Sequence, residues 1–155
     1  MTAKGGPPRN LPERARTAAQ LWEQDEPELN YLARLWCQTS LPYRDPGDVP
    51  AWGRRNGSLS LVVQPGMTIG EDGEPKSIGF PYGTVPRLLL TWLSTEALRT
   101  KEPVLLLGDS LSAFMRSLGL VPTGGKNGTI TRLKKQMERL FLATLTVRWD
   151  GGAER

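Results

Sequence analysis

Hydrophobic residues in the second half of the chain recur at helical spacing in three segments. In the middle segment, Leu111, Phe114 and Leu118 are separated by three and four residues, so they share one face of a helix. Residue 109 or 110 begins this helix as its N-cap, and Gly119 ends it. The predicted helices run from about 84 to 98, from about 110 to 118 and from about 129 to 143.

Shorter apolar stretches bounded by glycine and proline predict strands. Residues 58–63 (SLSLVV) have the composition of a strand. Residues 76–80 are predicted to form a second short strand after a polar turn at 66–75, and these two strands form a hairpin or a sheet edge. The other predicted strands are 104–107 and 144–149.

The first third of the chain is less regular. Residues 1–10 are polar and rich in glycine and proline, so we expect them to be disordered. Leucine and tryptophan recur at helical spacing over 11–39, whereas 40–57 has the glycine and proline content of a loop. We therefore divide the chain into a tail at 1–10, an N-terminal helical segment with a loop at 11–57, and a domain at 58–155.

The order of elements in this domain is typical of a winged helix: helix, strand, helix, turn, helix, strand and turn. We predict an α+β fold in which a helix-turn-helix is followed by a C-terminal wing. Only residues 153–155 follow the turn at 150–152, so we expect an incomplete wing and mobile residues beyond Asp150. Strand 144–149 is then expected to pair with strand 104–107 alone or to contact a second copy.

Positive charge is concentrated near the C-terminal end of the chain. Residues 116–148 contain seven basic residues and one acid, Glu138, which makes a net charge of +6 in a chain whose total is +4. A concentrated basic segment beside a near-neutral body is typical of nucleic-acid binding.

The last predicted helix separates basic from apolar residues at 100° per residue. Its basic side suits a helix lying in the major groove of DNA, where Arg and Lys contact phosphates or guanine and Gln pairs with adenine. The alternative is an ordinary solvated face. Its apolar residues are predicted to face the core and to meet the preceding helix: Ile130, Leu133, Met137, Leu140 and Phe141 against Leu111, Phe114 and Leu118.

The glycine-rich loop before this helix adds hydroxyl, amide and amino groups. Free N–H groups at a helix start favour an anion, so the loop is interpreted either as a phosphate clamp or as a flexible turn. The predicted DNA-binding residues of the loop and helix together are Thr123, Lys126, Asn127, Thr129, Thr131, Arg132, Lys135, Gln136 and Arg139.

The composition excludes most enzymatic chemistry. The chain has no histidine, which removes the usual general base and the commonest zinc ligand. Cys37 is the only cysteine, so an internal disulfide is impossible, and it is predicted to pack within a helix rather than to act as a nucleophile. We expect no catalytic residue, bound metal or cofactor. No apolar run reaches the roughly 18 residues of a membrane helix, and residues 1–10 lack a signal sequence, so we expect a cytoplasmic protein.

Five segments of the second half form one long pattern that needs no insertion or deletion. They are 79–90 (GFPYGTVPRLLL), 95–100 (TEALRT), 107–116 (LGDSLSAFMR), 118–125 (LGLVPTGG) and 128–133 (GTITRL). This pattern resembles the RepA-type plasmid replication initiators, and the resemblance extends over about residues 79–145.

The resemblance implies a protein that binds repeated duplex sites, called iterons, at a plasmid origin. Such a protein opens the origin or recruits host replication proteins, uses winged helices and forms dimers in some states. The resemblance places DNA contact in the stretch Thr123–Arg139, and it implies a chain longer than this one. Two alternatives remain: a winged helix for dimerisation or protein interaction, with Trp22 and Trp36 in the interface, and a transcriptional regulator.

Overall fold

The computed structural model describes residues 35, 36 and 39–151. The predictions for the tail at 1–10, for most of the helical segment at 11–39, for Trp22 and Cys37, and for residues beyond Gly151 lie outside the described residues. In chain order, the described elements are β1 (Trp52–Asn56), β2 (Leu59–Gln64), β3 (Met67–Ile69), β4 (Pro75–Ser77), α1 (Thr84–Thr100), α2 (Leu111–Ser117), α3 (Thr129–Leu142) and β5 (Thr144–Trp149).

β2 is the middle strand of a three-stranded antiparallel sheet with the order β1-β2-β5. Its Leu59, Leu61 and Val63 are completely buried, whereas the residues between them are partly or fully exposed. Successive side chains of a strand point to opposite faces, so every second residue of β2 enters the core. The strand predicted at 58–63 is confirmed.

β1 lies within residues 40–57, for which the sequence predicts a loop, and that prediction is wrong at its C-terminal end. Gly57 (φ 60°) and Ser58 form a two-residue turn, so that Asn56 pairs with Leu59. The domain boundary predicted between residues 57 and 58 therefore falls inside a hairpin. The sequence of β1 carries no strand signal because four of its five residues are exposed and only pairing with β2 orders them.

β3 and β4 form a separate two-stranded antiparallel ribbon that is exposed along both strands. We call residues 67–77 the ribbon arm. β3 lies in the segment predicted as a polar turn, and β4 covers only the start of the strand predicted at 76–80. Of the two arrangements predicted for 58–63 and 76–80, the hairpin is wrong, because β2 pairs with β1 and β5, whereas β4 pairs with β3.

Residues 104–107 do not form a strand, so this prediction is wrong. Val104 and Leu106 are 71% and 81% exposed, and their neighbours pack against the core, so the apolar run is divided between solvent and interior. β5 is a strand as predicted, but it pairs with β2 along its whole length. The expected pairing with 104–107 is therefore wrong, and the strand beside β5 comes from earlier in the chain.

The three helices predicted in the second half are confirmed, with α1 extending to Thr100. The hydroxyl of Ser110 accepts a hydrogen bond from the N–H of Ala113 (3.1 Å) and caps α2. Gly119 follows α2 with φ 79°, a left-handed conformation that suits glycine and ends the helix.

The core lies where the helices meet the inner face of the sheet. The ring of Phe114 packs edge-on against Trp92, with 4.9 Å between ring centroids. Phe114, Leu133 and Leu140 are buried as predicted, but Phe141 is 55% exposed, so its predicted core position is wrong. The buried face of α3 is centred on Leu133 and Leu140, and Phe141 lies about 100° further round the helix than Leu140. The rest of the predicted cluster is partly buried against this core: Leu111, Leu118, Ile130 and Met137.

The described residues form an α+β arrangement of three helices and two small antiparallel sheets, which is compatible with a winged helix. The connection between α2 and α3 runs from 118 to 128, which is longer than the roughly three or four residues of a common helix-turn-helix. In the part of the chain that the structure describes, no helix has the length and apolar character needed to cross a membrane.

Candidate nucleic-acid interface

The start of α3 is locked to the preceding loop by Thr123 and Thr129. The N–H of Thr123 donates to the Thr129 hydroxyl (2.8 Å), and the N–H of Thr129 donates to the Thr123 hydroxyl (2.9 Å). The N–H of Ile130 donates to the Thr123 carbonyl (3.2 Å). Two N–H groups of the first turn are thus occupied within the chain, which weakens the phosphate-clamp interpretation. Thr123 and Thr129 orient the helix.

The other polar residues of the loop are exposed. Lys126 and Asn127 lie at its outer side, immediately before α3. Thr131 is also exposed, and its hydroxyl donates to the carbonyl of Gly125 (2.8 Å), which ties the loop to the first turn of the helix. Lys126 and Asn127 are therefore presented to solvent from a loop that its own hydrogen bonds hold in place.

A basic surface extends along the first half of α3. Arg132, Lys134 and Lys135 are all exposed, and Glu138 is the only acid of the helix. Arg132 and Lys135 are predicted from the sequence but Lys134 is not, because the predicted basic side is centred near Arg139. The charge of Lys134 was the signal that could have included it, although at 100° per residue Lys134 lies beside Phe141 at the edge of the predicted apolar stripe. These three residues and Lys126 form what we call the α3 basic surface.

Gln136 does not belong to this surface. It is 8% exposed, and its side-chain oxygen accepts a hydrogen bond from the N–H of Tyr82 (2.9 Å). The prediction that Gln136 lies on an exposed side of the helix is wrong, because the segment before α1 crosses α3 there and needs a partner for a partly buried N–H. The side chain that was predicted to reach adenine is used inside the protein.

Arg139 is also engaged inside the protein, and its side chain is only 12% exposed. Its Nε donates to the carbonyl of Ile78 (2.9 Å) and its Nη1 to the carbonyl of Phe80 (3.3 Å). Gly79 makes room for the guanidinium, since a Cβ there would lie 2.8 Å from the Arg139 Cζ. The prediction that Arg139 is exposed opposite the core is wrong. This arginine fastens α3 to the segment that precedes α1.

Further basic side chains lie on the three-stranded sheet, and they are not among the DNA-binding residues predicted from the sequence. Arg54 and Arg55 are exposed on β1, and Arg148 is exposed on β5. The Asp150 carboxylate offsets part of this charge, because its oxygens lie 2.8 Å from Nε of Arg148 and 3.9 Å from Nη2 of Arg55. The sequence of β1 carries no strand pattern, so it does not predict that Arg54 and Arg55 lie on a sheet.

The described residues offer no obvious metal site. No group of three or more His, Cys, Asp or Glu residues is placed to hold an ion within residues 35, 36 and 39–151.

Together these features define a small α+β protein that presents a basic helix beside an antiparallel sheet. Residues 80–155 match the family model described as plasmid encoded RepA protein. These residues belong to the RepA-type family of plasmid replication proteins, and the resemblance found in the sequence is confirmed. No curated protein and no solved structure matches the chain.

Proposed function

We propose that this protein is a plasmid replication initiator that binds double-stranded repeats, or iterons, at its origin through α3, without catalysis. The observation that carries the proposal is the α3 basic surface: three exposed basic side chains on a single helix with one acid, in a chain from a plasmid replication family. A positive helix face releases counterions from DNA phosphates, which supplies much of the affinity.

In this proposal α3 is the recognition helix of a winged helix. A helix of ordinary diameter fits the major groove, where Arg132 and Lys135 contact phosphates or guanine edges, with Lys134 on the flank. Lys126 and Asn127 contact the backbone beside the start of the helix. Thr131 lies between the loop and the lysines, and in this proposal it contacts the same DNA strand as they do.

The sheet acts as the wing. β5 follows α3 after the single residue Ala143, so the sheet and the recognition helix are joined without a flexible linker. The β1–β2 hairpin carries Arg54 and Arg55 on β1, which is separated from β5 by β2. When α3 lies in the major groove, the hairpin remains free to contact the adjacent DNA backbone. Host replication proteins are the further partners that this function requires.

The proposal is tested by fluorescence anisotropy on a duplex that carries the origin repeats and on a scrambled duplex. Arg132→Ala, Lys134→Ala and Lys135→Ala in one chain should weaken binding at least about tenfold and reduce the magnitude of the log–log salt slope by about 2 to 3, since each lost phosphate contact removes about 0.9. The melting temperature should not change, because all three side chains are exposed.

The matched control removes the same charge elsewhere, by Arg44→Ala, Lys76→Ala and Lys101→Ala at three other exposed positions. This variant should bind almost as the unaltered chain does. Equal weakening by the two triple variants would show that only net charge matters, and the assignment of α3 would then be rejected. Equal affinity for the repeat and scrambled duplexes would reject specific iteron binding.

A further inference from the structure

Each threonine hydroxyl at the start of α3 has a single proton, and the structure shows where two of these protons are used. The Thr131 hydroxyl donates to the carbonyl of Gly125 (2.8 Å), and the Thr129 hydroxyl donates to the carbonyl of Val121 (2.6 Å). A hydroxyl can donate one hydrogen bond and accept two. Thr131 and Thr129 therefore have no proton left for an acceptor outside the protein.

This proton count distinguishes the parts of DNA that each threonine can contact. A phosphate only accepts hydrogen bonds, so a hydroxyl whose proton is used inside the protein has nothing to donate to it. The Thr123 proton is held by a longer contact, 3.2 Å to the Thr129 oxygen, and can turn to a phosphate instead. A contact between Thr131 and DNA must be of another kind.

Thr131 lies at the centre of the exposed side of α3. At 100° per residue it is turned about 160–180° away from the buried residues Leu133 and Leu140, and it falls between Lys134 and Lys135. When a helix lies in a groove, its outermost residues face the base edges and the residues beside them face the phosphates. The first turn of α3, to which Thr131 belongs, is also the part of a recognition helix that contacts bases.

The group that Thr131 offers to a base is its Cγ2 methyl group. Thymine carries a methyl group at C5 in the major groove, and the methyl group of threonine is a common contact for it. The hydrogen bond to Gly125 ties the Thr131 hydroxyl to the loop, so the methyl group is held in one rotamer before DNA binds. The carbonyl of Gly125 is itself held by the N–H of Gly128 (3.1 Å).

We propose that Thr131 determines sequence specificity by reading one thymine of the iteron through contact between its Cγ2 methyl group and the C5 methyl group of the base. The inference rests on the proposed function, since it requires α3 to lie in the major groove of a duplex. It adds that an uncharged residue reads the sequence, whereas the lysines on either side supply affinity for phosphates.

Replacement of thymine by uracil tests this contact, because uracil lacks only the C5 methyl group. Each thymine of one repeat is replaced in turn, and affinity is measured by fluorescence anisotropy. One replacement should weaken binding of the unaltered chain about fourfold, which corresponds to one buried CH₂ group. Thr131→Ser removes the methyl group and keeps the hydroxyl. It should bind the unmodified repeat about fourfold more weakly and should no longer distinguish uracil from thymine at that position.

Two further variants separate the methyl group from the hydroxyl. Thr131→Val keeps a methyl group and should still distinguish thymine from uracil. Thr68→Ser makes the same change as Thr131→Ser at an exposed threonine of β3 and should leave every uracil effect unchanged. If Thr131 bound a phosphate instead, Thr131→Ser would bind as the unaltered chain does, and Thr131→Val would weaken binding to repeat and scrambled duplexes alike. That result would overturn the proposal.

Failure of this contact can be distinguished from failure of the proposed function. An unaltered chain could prefer the repeat duplex to the scrambled one and yet show no uracil effect that Thr131→Ser abolishes. This outcome would reject the thymine contact alone. An unaltered chain with no preference for the repeat duplex would reject both proposals.

Discussion

Two arginines of α3 show how differently the same residue can be used on one helix. Arg132 and Arg139 are seven residues apart and so point in directions that differ by only about 20°. Arg132 is exposed, whereas Arg139 holds two backbone carbonyls and is nearly buried. The difference comes from the 78–80 segment, which crosses only the C-terminal half of the helix. Position on a helical wheel therefore does not by itself distinguish an exposed arginine from a structural one.

The largest loss of stability is expected when a fully buried residue of the core is replaced. Phe114→Ala removes a ring that is 1% exposed and packs against Trp92, so it should lower the free energy of unfolding by about 3–5 kcal/mol. Chemical denaturation with an unchanged m-value would measure this. A loss of less than about 1 kcal/mol would mean that Phe114 does not belong to the core.

Substitution of the two arginines should separate stability from binding. Arg139→Ala leaves the carbonyls of Ile78 and Phe80 without their donor, so we expect a loss of about 1–3 kcal/mol of stability. Arg132→Ala should change stability by less than about 0.5 kcal/mol and should weaken DNA binding instead. Thermal melts and anisotropy on both variants make the comparison. The same stability loss in both would contradict the distinction between them.

Gln136 should behave like Arg139, with a smaller effect. Gln136→Leu removes the acceptor for the N–H of Tyr82 and should cost about 1–2 kcal/mol. Gln136→Glu keeps an acceptor oxygen and should cost less. If Gln136→Leu instead left stability unchanged and reduced DNA affinity, the residue would belong to the DNA interface after all.

The smallest effect on stability is expected at the exposed apolar end of α3. Phe141→Ser should change the free energy of unfolding by less than about 0.5 kcal/mol, because the ring is mostly exposed in the single chain. Chemical denaturation of the purified protein measures this value. A loss above about 2 kcal/mol would place Phe141 in the core, as its sequence spacing suggests.

The helices of the second half could be predicted because their signals are local. Ser110 caps α2, Gly119 ends it, and the spacing of Phe114 marks its buried side. β2 could be predicted for the same reason, since its residues have the composition of a strand. β1 and the ribbon arm could not, because exposed strands need no apolar pattern and are formed by pairing with a neighbour that the sequence does not identify.

The site was predictable in part. The charge of the segment and the basic residues at 132 and 135 follow from the sequence alone. The internal roles of Gln136 and Arg139 do not, because they depend on where residues 78–82 cross the helix. That crossing is a tertiary contact between segments more than fifty residues apart, and no local pattern in either segment reports it.

The pairing of β2 with β5 also determines when the sheet can form. Ser60 and Arg148 are opposite one another and 88 positions apart in the chain. During synthesis one edge of β2 therefore remains unpaired until β5 has been made. Contacts of such long range slow folding and expose unpaired edges to other chains. Refolding should accordingly be slower for the sheet than for α2 and α3, and a nascent chain that stops before residue 144 should be prone to aggregate.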